Sequence, residues 1–189
     1  TNTNTNVVIH PIYRKGFIGI SRANALLDLT EIESDAVTEY KAQAQWLRAY
    51  YHFELFRHFG PIPVVNQSLT PDDMNLERNT LSEVMQQVIS DCQAALPHLP
   101  AIAPSGQEGR VTQGAAHALM GKAYLYWADL KGDDPALFQS AAEAFQQVVD
   151  LGVYQLQDDM QELFVFDNRN TLESVFEIQH TALYSSDWG

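Results

Sequence analysis
At 189 residues, with 46% hydrophobic and 19% charged side chains, the chain can bury one sizeable core and is too apolar to be disordered. Its formal net charge of −13 repels phosphate backbones and excludes nucleic acid as a partner. The single cysteine, Cys92, excludes an internal disulfide and reads as a small buried apolar residue in a helical pattern.

The chain opens on Thr1-Asn2-Thr3-Asn4-Thr5-Asn6, which cannot begin an export signal, and holds no run of about eighteen apolar residues. Any export or lipidation signal is expected outside these residues, in a longer protein continuing beyond both ends. Hydrophobic periodicity then predicts five helices. The first spans roughly 12–32, after a loop at 1–11. It places Tyr13, Phe17, Ile20, Asn24 and Leu27 on one stripe and Gly16, Gly19 and Ala23 on a second, small enough for a neighbouring helix to approach closely.

The second helix, roughly 35–59, is apolar over a wide arc: Trp46, Ala49, Tyr50 and Phe53 on one face, Leu47, Tyr51 and Leu55 on the next. Such a helix packs against more than one partner. Gly60, Pro61 and Pro63 stop it, and 61–79 reads as an extended segment and polar loop. Thr80-Leu81-Ser82-Glu83 is a capping box that opens the third helix, whose inner stripe is Val84, Val88, Cys92 and Leu96. A Pro/Ser/Gly-rich loop follows at 100–109. The fourth helix, about 112–131, opens on Thr112. The fifth begins with Asp134 as N-cap and Pro135 at its first position, and ends near Gly152. Residues 153–189 read as mostly loop, with a short helix around 158–164 and a strand at Ser174–His180.

Helices joined by short turns suggest a repeat array. Gly121 and Tyr124 have the Gly-x-x-Tyr spacing of a tetratricopeptide unit, and Ala141 and Phe145 its later Ala-x-x-x-Phe spacing. Small residues there admit close helix contact and the aromatics fill the groove. The fold class is therefore all-α: antiparallel, tetratricopeptide-like helix pairs over 12–152 with a loop-rich tail, in one domain.

Several segments together resemble the SusD/RagB family. Trp46-Leu47-Arg48-Ala49-Tyr50-Tyr51-His52-Phe53-Glu54-Leu55, running on through Phe59-Gly60-Pro61-Ile62-Pro63, looks like that family's most recognisable stretch. Tyr13 to Leu27 with Ala23-Asn24, Glu83 to Leu99, and Gly109-Arg110-Val111-Thr112 with Ala123-Tyr124-Leu125-Tyr126 match in order. So do Gly152-x-Tyr154 and Glu173-Ser174-Val175-Phe176-Glu177-Ile178. The resemblance implies a lipid-anchored protein on the outer-membrane surface. It would bind oligosaccharide, or in some members peptide, as a lid over a TonB-dependent, SusC-like transporter. The family's lipidated cysteine and the last half of a typical member have no counterpart in these residues. A tetratricopeptide-like scaffold for protein partners is the alternative.

No catalytic constellation is present, and an enzyme is not expected. The six histidines are dispersed, with no H-E-x-x-H. Asp72/Asp73, Asp133/Asp134 and Asp158/Asp159 sit in turns, where solvation and capping explain them; calcium is a minor alternative. No metal and no cofactor are expected. Sugars need aromatic faces and polar groups, and most aromatics here lie at helical spacing. Tyr184 and Trp188, in a polar tail, and Asn6, in the loop that borders the ligand site in the family, are the candidate sugar contacts. Asn24 and Arg48 are read as structural. Arg48 lies on a helix expected to be buried, so it should meet a carboxylate or carbonyls from neighbouring elements. Its replacement by alanine would then cost about 1–3 kcal/mol.

Overall fold
The computed structural model describes residues 9–29, 33–73, 75–165 and 168–179. Five helices follow one another: α1 (Ile9–Leu27), α2 (Asp35–Phe59), α3 (Leu81–Ala95), α4 (Gln113–Leu130) and α5 (Pro135–Asp150). Single 3-10 turns lie at Pro71–Asp73, Leu96–His98 and Met160–Phe164. No helix among the described residues is long and apolar enough to cross a membrane. Each helix packs on the next in chain order, and α2 also touches α4. Tyr13 near the start of α1 meets Phe59 at the end of α2, so the first pair is antiparallel. The four residues between α4 and α5 leave room only for a reversal as well.

The ends of the helices follow local chemistry. Thr80 and Glu83 form the reciprocal capping box at the start of α3. Asp134 accepts from the Ala136 and Leu137 amides, with Pro135 at the first position of α5. Gly60 ends α2 with φ of 68°, a left-handed conformation that suits glycine. α1 differs from the expected 12–32. It is already helical at Ile9, the first described residue, and it includes Pro11. It ends at Leu27, where the Leu29 amide turns back to Leu26 O at 3.2 Å in a tighter turn. The strand expected at Ser174–His180 is absent over 174–179, and His180 lies outside the described residues. No second strand lies among the described residues to complete a ladder, and a β-pattern without a partner forms no sheet.

The core runs between the helices. Ile20, Trp46, Phe53, Val84, Val88 and Cys92 are all at most 2% exposed. Burial also pushes the Cys92 thiol pKa up, which keeps it protonated. α4 and α5 approach through the tetratricopeptide spacing: a Cβ added at Gly121 would stand 2.5 Å from the Phe145 ring. No real side chain fits there without moving that ring. Gly121→Val should therefore lower unfolding free energy by about 1–3 kcal/mol, although valine is the better helix former. Urea unfolding would read this as a lower midpoint at unchanged slope; an unchanged midpoint would mean that the two helices separate freely.

Candidate functional site
After α2, residues 62–68 run across the helices as a strap whose backbone is bonded almost wholly by side chains. The Val64 amide donates to Asn79 Oδ1 at 2.8 Å, and the Val65 amide to His52 Nε2 at 3.1 Å. Asn24 Nδ2 donates to both Val65 O (3.2 Å) and Gln67 O (2.8 Å). Arg48 Nη1 donates to Asn66 O at 2.7 Å, and the Ser68 amide to Asp28 Oδ2 at 3.1 Å. Gly60, Pro61 and Pro63 end the helix and keep this stretch out of one, so its backbone groups must find other partners.

Arg48 stands at the centre. Its Nε and Nη2 donate to the two oxygens of Asp91 at 2.8 and 2.6 Å, and its Nη1 also reaches Asn24 Oδ1 at 2.7 Å. Arg48 is 8% exposed and Asp91 3%, so the pair is a buried, bidentate, charge-assisted one. His52 donates from Nδ1 to Arg48 O at 2.8 Å, which fixes Nε2 as the bare acceptor for Val65. Burial holds the His52 pKa down to about 4, against the raising influence of its bond to Arg48 O and of the Asp91 charge. The network joins α1, α2, α3 and the strap. Sequence reasoning missed Asp91, yet a signal existed: it is the lone carboxylate within the stripe Val88, Asp91, Cys92 and Ala95.

Beside the network, a cleft of about 340 Å³ opens between α2 and α4, with Val175, Phe176 and Ile178 on its edge. Trp46 and Tyr50, one turn apart, stack with centroids 5.4 Å apart and planes 14° from parallel. Phe176 leans on Trp46 at 4.6 Å. Arg57 donates to Glu54 at 2.8 Å and lies 6.0 Å over the Phe53 and Tyr126 rings. Burial, and then the Glu54 charge, raise the Tyr50 pKa, so its hydroxyl stays protonated. A smaller hollow of about 180 Å³ lies between the 101–112 loop and the tail. Tyr154 there shares a hydrogen bond with Thr112 at 3.0 Å.

Asn6, Tyr184 and Trp188 lie outside the described residues, so nothing here brings them together. Asn24 and Arg48 meet in the network above. The turn carboxylates act as caps: Asp73 accepts from the Thr70 amide and hydroxyl, Asp134 caps α5, and Asp159 accepts from the Gln161 amide. His58 meets the Glu54 carbonyl rather than its carboxylate. Among the described residues no three His, Cys, Asp or Glu side chains converge as metal ligands.

The family model whose description reads "starch-binding associating with outer membrane" matches residues 1–125. A SusD-like protein of Bacteroides ovatus is 25% identical over 175 residues, covering 87% of this chain and 31% of that protein. A laminarin-binding SusD-like protein superposes with a TM-score of 0.82 at 30% identity, covering 94% of this chain and 39% of that one. A SusD-like carbohydrate-binding protein from Bacteroides fragilis gives 0.74 at 28% identity, with 85% and 31% covered. The chain thus spans about a third of the length of these relatives. With the family model running over well more than half of the sequence, the chain belongs to the SusD-like family.

Proposed function
We propose that this chain is the helical part of a non-enzymatic surface protein. It would capture oligosaccharide and deliver it to a TonB-dependent, SusC-like transporter while tethered to the outer membrane by a lipid anchor outside these residues. Family membership over residues 1–125 is the observation that carries this reading. Starch, in the family's description, and laminarin, in the name of one structural relative, are both glucose polymers. Glucan oligosaccharides are therefore the first ligands to test.

Trp46, Phe53 and Phe56, the most buried helical aromatics at no more than 5% exposed, are spent on packing. That favours sugar contacts on the loops at the two ends of the chain, with Tyr184 and Trp188 as stacking faces and Asn6 as a bidentate amide. Calorimetry of the whole protein with maltoheptaose and laminarihexaose tests this. Trp188→Ala should weaken binding by on the order of 1 kcal/mol or more, with the thermal transition nearly unchanged. Equal affinities would remove Trp188 from the site, and a wild type that binds neither sugar would overturn glycan capture.

A further inference from the structure
The charges of this protein are sorted along the row of helices. Residues 132–189 hold eleven Asp and Glu against one Arg, so ten of the thirteen net negative charges lie there. α1, at the other end of the row, holds Arg14, Lys15 and Arg22, with no carboxylate between Ile9 and Leu27. It packs on α2 and the strap, burying Gly16, Ile20, Ala23 and Asn24. At about 3.6 residues per turn, Arg14, Lys15, Ile18 and Arg22 fall on the side opposite those four. All three cations are exposed, and they run about 12 Å along the helix axis. None makes an ion pair among the described residues. On α2, by contrast, Arg57 is answered by Glu54 at 2.8 Å. A chain already at −13 needs no such sorting for solubility.

We propose that the outer face of α1 docks on the phosphate groups of the membrane surface. The inference rests on the surface-tethered reading above, and on the family description, which reads "associating with outer membrane". A surface of phosphates attracts α1 and repels the acidic end of the row, so it sets the orientation of the protein as well as the contact. Neither hollow described above includes a residue of α1, so a continuous anionic surface fits this open face better than a single bound ion. Ile18, half-buried between the cations, offers little apolar area. The contact is therefore electrostatic and salt-sensitive rather than an insertion into the lipid.

The whole protein, produced without acylation so that no anchor contributes, is sedimented with two kinds of vesicle. One is phosphatidylcholine alone, the other phosphatidylcholine mixed with phosphatidylglycerol. Wild type should bind only the mixed vesicles and leave them as added salt shortens the screening length. Each basic residue at such a surface changes the partition about fivefold. Arg14→Gln/Lys15→Gln/Arg22→Gln should therefore bind at least about tenfold more weakly. Glutamine suits an exposed helix position, so the unfolding midpoint should hold; if it falls, Lys15→Gln alone decides, with about a fivefold loss. Arg14→Lys/Arg22→Lys keeps the charge and should bind as wild type does. Equal binding to both vesicles, or by wild type and triple variant alike, overturns the docking face. So does a wild type that ignores the mixed vesicles, which would leave the stripe to an acidic protein surface. Calorimetry with maltoheptaose and laminarihexaose separates this from capture. A protein that binds sugar but not anionic vesicles loses the docking face and keeps capture. One that binds the vesicles through the stripe but neither sugar loses capture and keeps the face.

Discussion
Arg48→Ala should lower the unfolding free energy by about 3–5 kcal/mol, the cost of stripping one partner from a buried ion pair. That exceeds the 1–3 kcal/mol expected from sequence, because the acceptor is a carboxylate only 3% exposed rather than carbonyls alone. Alanine would leave Asp91 charged and dry, and the Asn66 carbonyl and Asn24 amide oxygen without their donor. Asp91→Leu alone should be comparably harmful, since it strands the guanidinium. The double variant Arg48→Met/Asp91→Leu should recover much of the loss, because two matched apolar side chains carry no desolvation penalty. Urea unfolding of wild type, Arg48→Met, Asp91→Leu and the double variant closes the cycle. A double variant no more stable than the sum of the two single losses would show that the charges act independently. An unchanged midpoint for Arg48→Ala would mean that the residue is solvated.

The second large effect is a loss of stability in mild acid. The folded His52 pKa is about 4, against about 6.5 in an unfolded chain. Between those values the unfolded chain binds a proton that the folded chain refuses, so unfolding gains as pH falls. The contribution is fully present above about pH 6.5, declines through the window, and is gone below about pH 4. It amounts to on the order of 3 kcal/mol. His52→Gln keeps a side-chain acceptor within reach of the Val65 amide but has no proton to gain. It should be less stable than wild type at neutral pH and flatter with acid, so that the two curves converge near pH 4. Curves that stay parallel from pH 7 to 4 would assign the acid sensitivity to carboxylates elsewhere.

Helix boundaries were legible wherever a cap or a stop was written into adjacent residues, as at Thr80, Asp134-Pro135 and Gly60. These signals act over a single turn, and nothing distant overrides them. The tetratricopeptide spacing was legible for the same kind of reason, since Gly121 and Phe145 sit at fixed offsets on two helices joined by a short turn. The inclusion of Pro11 in α1 was not, because proline breaks some helices and is accepted near the start of others, and only the fold says which applies. The strand pattern in 174–179 failed because pairing needs a partner that no local pattern supplies.

The buried network shows the same division. Arg48 could be singled out from its own helix as a charge among apolar residues. That its partners are Asp91, Asn24 and the carbonyl of Asn66 depends on α1, α3 and the strap converging on one point. The cleft was illegible for a related reason: it has no residues of its own in sequence, only the space left where α2, α4 and the tail fail to close.

A strand in a sheet is held by backbone groups that every residue except proline carries, so its neighbours can mutate freely without unpinning it. The strap at 62–68 has no such insurance. Its carbonyls and amides are met by Asn24, Asp28, Arg48, His52 and Asn79, each a side chain that one nucleotide change can erase. Of its own side chains, Ile62 and Val65 are anchored in the core, while Asn66, Gln67 and Ser68 are all exposed. The tolerance to substitution is therefore inverted: the surface residues of the strap can vary, while polar residues up to 43 positions away in the sequence cannot.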